Sequence, residues 1–446
     1  MEWYAQLNGS TVAPCCQLSS SGSRWAQSER ILNASAAAPL IEKPRGYDPE
    51  TYRHSPEWPK TWAATSGKLP NNKYEINQHP FGGDWPGINF DYPTATPERR
   101  REIEALYRDR ALGYLYYVQN ELGHRNLGLA DDEFLDNCNF PVGLYVREAS
   151  RLIGEYTIYE DEVTNARSYH RVDAVAIGDY PMDSHAMEDL KDPSRRDKGE
   201  GEQYLSTFTP WSQSPYGILV PCEIDGLLVT TAVSATHVAY GTLRLEPIRM
   251  SFGQAAAAAA YWSILYGIPL RQVRPAWTQD KVLAQGSFVN WNPDVNAQTR
   301  HFVAINFLGA RGVFPEEEFR PDAGITREQA EAALNQMLRL ETEWAGLRTV
   351  PAQPQPEAPA SARALTRGEF AVMLVDAKRR VDPLWNCSPT GQSYADVPPN
   401  SPYYVAVETL RAHRISAMLF ADPEPGLFRP DAPMTRADAA QAIYLA

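Results

Sequence analysis

No stretch of this 446-residue chain stays apolar for the roughly 18 residues that cross a bilayer. The longest candidate, Ala255 to Ile268, is interrupted by Ser263 and closed by Gly267, so membrane insertion is not expected. Positive charge is in short supply. Lys and Arg number 42 against 55 Asp and Glu, for a formal net charge of -13, and nucleic-acid binding would need a basic face to displace counterions. The five cysteines (Cys15, Cys16, Cys138, Cys222 and Cys387) form neither a C-x-x-C metal knuckle nor an even disulfide framework. The eight histidines contain no H-x-x-x-H or H-x-H spacing, which leaves a metal site without support. Asp183, Ser184 and His185 are adjacent, yet triad members come from separated segments and there is no G-x-S-x-G elbow, so a serine hydrolase is disfavoured. FGGDWPG at 81–87 fits neither G-x-G-x-x-G nor the Walker spacing. The amino terminus has no basic start followed by an apolar run, so it does not read as a signal peptide, and a cytoplasmic location stays open.

What is present is an ordinary globular balance, 43% hydrophobic and 22% charged, over a length that suits two or three domains. Residues 1–45 are a Ser- and Ala-rich lead-in without periodicity. From Tyr47 to Asp91 the chain is dense in Pro, Gly, Trp and Asn, the composition of ordered loops that often wall a pocket. Thr96 and Pro97 form an N-cap and first turn. Ile103, Leu106, Tyr107, Ala111, Tyr114, Leu115 and Val118 then recur at helical spacing, so a long amphipathic helix with a core-facing aromatic stripe is expected. A second helix is expected from about Tyr145, leading into alternating Tyr156, Ile158 and Val163. Ile218–Pro221 and Leu227–Thr231 read as two short buried strands around the Asp225-Gly226 turn, and Gly253 reads as the opening of an alanine-rich helix.

The carboxy-terminal third carries an internal repeat. FRPDAGITREQAEAAL at 319–334 recurs as FRPDAPMTRADAAQAI at 428–443, with matching starts at Asp294 and Asp396. Between the copies lie a proline-rich linker (349–363) and a partial unit, ALTRGEFAVML, at 364–374. The equivalent arginines are Arg327, Arg367 and Arg436. In each unit Thr and Asp or Glu could equally serve as helix caps, with Arg solvated.

Most of the chemical logic sits at 216–262. A short strand, a turn with Ser234, Thr236 and His237, the arginines Arg244 and Arg249, and a helix opening at Gly253 offer donors and a helix end to an anion or an electron-rich ring; plain packing is the competing reading. The run PYGILVPCEIDGLLVTTAVSATHVAYGTLRLEPIRMSFGQAAAAAA, with LYVREASRLIGEYTI, IGDYPMDSHA, GLADDEF and EINQHPFGGDWPGINFDYP, resembles FAD-dependent oxidoreductases of the xanthan-lyase-like group from about Tyr47 to Ile268. The resemblance implies an α/β (α+β) FAD-binding domain with a β-rich substrate region over 46–275. It places Gly253, Gln254 and Ala255 near the isoalloxazine, Ser234, Thr236 and His237 beside it, and Arg147, Glu148 and Arg151 near a domain junction; Arg244, from the segment's own chemistry, joins them as a cofactor-binding candidate. His237, Arg249 and His185 are the catalytic candidates. The family's G-x-G-x-x-G unit is missing, its usual Gly-Arg is Thr231-Ala232, and a later glycine is Ala257. The expectation is therefore an incomplete domain that binds FAD weakly or not at all alone, acting on a small-molecule or carbohydrate substrate.

The tail resembles small all-α S-layer-homology units over 290–340 and 364–446. That likeness implies cell-wall polysaccharide as partner, Arg327, Arg367 and Arg436 as its contacts, and a cell-envelope location. Three functions stay open: a flavoenzyme, a non-catalytic remnant, and a wall-binding protein.

Overall fold

A computed structural model describes residues 30–33, 40–53, 68–69, 73–75, 88–89, 91–130, 132–137, 139–141, 143–144, 146, 148–184, 203–207, 209–343, 349–351, 363–386, 388–416 and 426–446. These fall in two compact units, one formed by 1–150 with 183–203, the other by 151–182 with 204–446.

The first unit is built on α1 (Pro97–Asn120), which starts where the sequence places it: the Thr96 hydroxyl accepts from the Arg99 N–H at 3.3 Å and Pro97 sits in the first turn. The aromatic stripe is core. Tyr114, Leu115 and Val118 pack with Tyr52 and Leu127. Gly113 has a steric reason, because a Cβ there would lie 2.0 Å from the Tyr52 hydroxyl. An antiparallel sheet runs in the order Lys68–Leu69, Lys73–Glu75, Arg30–Asn33, Leu127–Leu129, with Ile31 opposite both Tyr74 and Leu129.

In the second unit three local expectations are corrected. No helix occurs among the described residues from 146 to 159; a short one, α2 (Glu160–Thr164), follows instead. The segment 152–158 is extended and divides its hydrogen bonds: Leu152 N–H donates to Ala232 at 2.8 Å, Glu155 N–H to Val220 at 2.9 Å and Ile158 N–H to Ser234 at 3.2 Å. Gly154 lets these backbones meet, since a Cβ would lie 2.8 Å from the Ser234 Cβ. Neither expected strand forms. Tyr216–Leu219 is a 3-10 turn, and 227–231 holds no regular strand, because its groups pair singly with scattered partners, as Val229 N–H does with Leu219 at 2.9 Å.

Nor does Gly253 open a helix. After α3 (His237–Leu243), α4 spans Glu246–Tyr266, with Leu245 as N-cap and Pro247 in the first turn, and ends on Gly267 at φ 63°. Ile248, Phe252, Ala255 and Ala259 form its buried face.

Ala174–Gly178 pairs antiparallel with Ser212–Pro215, with α4 and α5 (Pro275–Ala284) against the first strand. Gln279 on α5 donates to the carbonyls of Val172 (2.9 Å) and Ala174 (2.7 Å). Its Oε1 accepts from buried Arg311 at 2.7 Å, just past α6 (Phe302–Gly309). Burial pulls the Arg311 guanidinium down to about 9, which still leaves it cationic at neutral pH. The tail is not purely helical. Thr349–Pro351, the start of the proline-rich stretch, pairs antiparallel with Tyr169–Arg171. One continuous core runs from Ile158 to Ile443.

The repeat helices are α6, α7 (Arg327–Glu343), α8 (Arg367–Arg379), α9 (Tyr404–Ala412) and α10 (Arg436–Leu445). The residues just before the three Thr-Arg helix starts form a closed ring of backbone hydrogen bonds. Ile325 N–H donates to Met434 (3.0 Å), Met434 N–H to Leu365 (2.8 Å), and Leu365 N–H to Ile325 (2.8 Å).

Candidate functional site

The first site lies where α3 and α4 meet the extended segment at 151–158. Tyr240 on α3 is buried and donates to the Thr231 carbonyl at 2.8 Å. Its hydroxyl accepts from Arg249 Nη2 at 3.2 Å, while Arg151 lies 5.7 Å from its ring centroid and donates to the Ala235 carbonyl at 3.0 Å. Two guanidinium groups thus converge on one tyrosine, and Arg249 Nε is buried with no hydrogen-bond partner among the described residues. Such an arrangement can hold an anionic group.

The remaining sequence candidates scatter. Ser234 is buried and engaged: its hydroxyl accepts from Gly154 N–H at 3.1 Å and meets Thr157 Oγ1 at 2.9 Å. Thr236 caps α3, accepting from Ala239 N–H at 3.4 Å, and His237 is the first residue of that helix. Arg244 is buried at the end of α3, 5.9 Å from the Tyr180 ring. Gly253 is exposed with nothing within 4 Å of a Cβ, and Ala255 is buried. Gln254 is bonded to Gln285 at 2.6 Å and to Ser287. His185 and Arg147 lie outside the described residues. The role of Tyr240 had no sequence signal, because its neighbours come from remote segments; Arg151 reaches across 84 residues to Ala235.

FAD's pyrophosphate calls for free backbone N–H donors at a glycine-lined turn or helix end. Gly253 cannot supply them, because it sits two turns inside α4. Among the described residues the Arg151–Tyr240–Arg249 cluster fits an anionic group.

The second site is the set of repeat arginines, and they are not equivalent. Arg436 is buried, donates to the Phe319 carbonyl at 2.6 Å, pairs with Glu316 at 2.8 Å and lies against the Phe314 and Phe319 rings. Arg367 reaches the Phe428 carbonyl at 3.4 Å. Arg327 keeps 54% of its side chain exposed, with Glu331 at 3.9 Å, Met373 Sδ at 3.8 Å and the charge of the adjacent Glu328 beside it. Each turned-in arginine seats on the Phe-Arg-Pro loop of another copy, and the middle unit has no such loop for Arg327. The capping part of the alternative reading is met, although Arg436 is buried and not solvated. The Thr326, Thr366 and Thr435 hydroxyls accept from the N–H groups of Gln329 (3.3 Å), Glu369 (3.3 Å) and Asp438 (3.1 Å).

Among the described residues no group of His, Cys, Asp and Glu could hold a metal ion, and no helix is long and apolar enough to cross a membrane. No curated protein matches the chain. The S-layer homology domain profile matches residues 393–440, which take in the start at Asp396 and most of the last repeat. The profile of the FAD dependent oxidoreductase family matches residues 4–282, more than half of the sequence, and takes in the whole Arg151–Tyr240–Arg249 cluster. The chain therefore belongs to the FAD-dependent oxidoreductase family and carries an S-layer homology domain behind that region.

Proposed function

We propose that the chain takes part in a FAD-dependent oxidation at the cell envelope and that its repeats hold it to wall polysaccharide. The family match over 4–282 carries this reading. The oxidoreductase region is 46–275, and the wall-binding units are 290–340 and 364–446. When bound, FAD supplies the hydride-accepting ring. This chain's own contribution is the pair Arg151 and Arg249, which orients an anionic group of the substrate or cofactor beside Tyr240, with His237 one turn away on α3 as the nearest candidate to move a proton. Ser234 and Thr236 shape the loop, because their hydroxyls are already engaged.

Titration of the purified chain with FAD, read by flavin fluorescence, tests the reading. Weak binding is expected, because each 1.4 kcal/mol of missing contact costs about tenfold in affinity. A glycine-rich dinucleotide-binding segment supplied in trans should raise the affinity, and Arg249→Met should then lower turnover. Tight stoichiometric binding by the chain alone would overturn the weak-binding claim. Wall binding with no turnover under any of these conditions would favour the second reading, a wall-binding protein that does no redox chemistry.

A further inference from the structure

Between Arg249 and Arg271 the sequence has no charged residue, yet α4 runs through that stretch with half its surface uncovered. The face opposite Ile248, Phe252, Ala255 and Ala259 carries Met250, Gly253, Ala257, Tyr261 and Ile264, all exposed; Met250 is 73% and Ile264 83% exposed. A helix apolar on every side is normally buried on every side.

The stripe is symmetric about Ala257. Met250 and Ile264 lie seven residues before and after it, and Gly253 and Tyr261 lie four before and after. A two-fold axis through Ala257 would set Met250 against the other copy's Ile264 and the Tyr261 ring over the other copy's Gly253, large against small. The two alanines would meet at the crossing, where small side chains let backbones approach. Self-complementarity of this kind is what a two-fold interface requires, and antiparallel helices also oppose their dipoles favourably. Charge points the same way. Two copies that each carry -13 repel over most of their surface, whereas α4 brings no charge of its own between Arg249 and Arg271 and the Lys281 ammonium lies over the Tyr261 ring at 4.5 Å, so negative charge is least dense at this face.

We propose that this face of α4 is a homodimer interface, with a second copy of the chain packed antiparallel across Ala257. The proposal does not depend on the oxidoreductase reading. One helix pair about 31 Å long stays near the lower limit of specific interfaces, about 1,200 Å² in total, so the dimer is reversible and concentration-dependent.

Sedimentation velocity of the full chain over a concentration series is the test. Dimer should grow with concentration, and Ala257→Glu should raise the dissociation constant at least tenfold while leaving circular dichroism and the unfolding midpoint unchanged, since Ala257 is exposed. In a background with the native cysteines changed to serine, Ala257→Cys should be cross-linked to a dimer by an added thiol oxidant much faster than Met250→Cys, whose counterpart is Ile264. A native chain monomeric at every concentration, as expected if the face is kept for a different polypeptide, would overturn the proposal. So would a dimer indifferent to Ala257→Glu, or Met250→Cys cross-linking as fast as Ala257→Cys.

Discussion

The first and last repeats keep a clasp that the middle one has lost. Asp294 accepts from the N–H groups of Phe319 (2.9 Å) and Arg320 (2.5 Å), and Asp396 does the same for Phe428 (2.9 Å) and Arg429 (2.6 Å). Both arginines are held in the left-handed region, at φ 55° and 56°. Among the described residues the middle unit supplies the ring residue Leu365 and the Thr-Arg start of α8, and its sequence has no Phe-Arg-Pro loop to clasp. Closing the ring thus needs three short segments, whereas seating an arginine needs a whole loop. The unit without a loop is the one that leaves Arg327 in solvent.

The arginines offer the largest test of that contrast. Arg436→Ala should cost about 3 kcal/mol in urea unfolding, because Glu316 is left without its buried partner. Arg367→Ala should cost less, and Arg327→Ala about 0–0.5 kcal/mol, as for an exposed ion pair. Co-sedimentation with cell wall should rank them oppositely, with Arg327→Ala losing most while the fold is intact; equal stability losses for all three would erase the distinction. The clasps come next. Asp396→Ala and Asp294→Ala should each cost roughly 1–3 kcal/mol for two lost charge-assisted bonds, with the greater loss at Asp396, which is less exposed than Asp294.

The caps give a smaller effect. Thr366→Ala should cost about 1 kcal/mol. The smallest is a pH effect confined to one cap. Hydrogen bonds from Arg363 and then from the Thr366 backbone hold the Glu369 carboxyl below its ordinary 4.5. A depressed folded value means that the stabilisation is present above about pH 4.5 and fades as pH falls through the folded value. Glu369→Gln should flatten that part of the acid limb of the stability curve. The first repeat already has Gln329 at this position, so Gln329→Ala should leave the acid limb unchanged in shape.

Much of this was legible in the sequence. The 319 and 428 repeats, the α1 cap and the core placement of its tyrosines follow from local patterns, and local patterns are what a sequence displays. Gly368, where the other units have Glu328 and Ala437, also has a local look, but its cause is remote: a Cβ there would lie 2.6 Å from the Tyr403 ring. The errors share that character. YVREASRLIG has helical composition, yet the backbone groups of Leu152, Ile153 and Gly154 are claimed by Ala232, Cys222 and Ser234, and the alanine run hid a helix start seven residues upstream at Glu246, where Pro247 was the missed signal. Arg436 and Arg327 are identical in motif and opposite in exposure, because the deciding neighbour is a loop from another copy. The Arg151–Tyr240–Arg249 cluster was only partly visible, as Arg249 alone was singled out for chemistry.

The ring through Ile325, Leu365 and Met434 also sets the order of events during synthesis. Its last member emerges 109 residues after its first. Until then the amide of Ile325 and the carbonyl of Leu365 have no mate, and the apolar side chains behind them stay open to solvent. Contacts this far apart in sequence form slowly, and transiently exposed surface is where misassembly begins. A ribosome that stalls within 366–433 would therefore release a chain whose repeats cannot close.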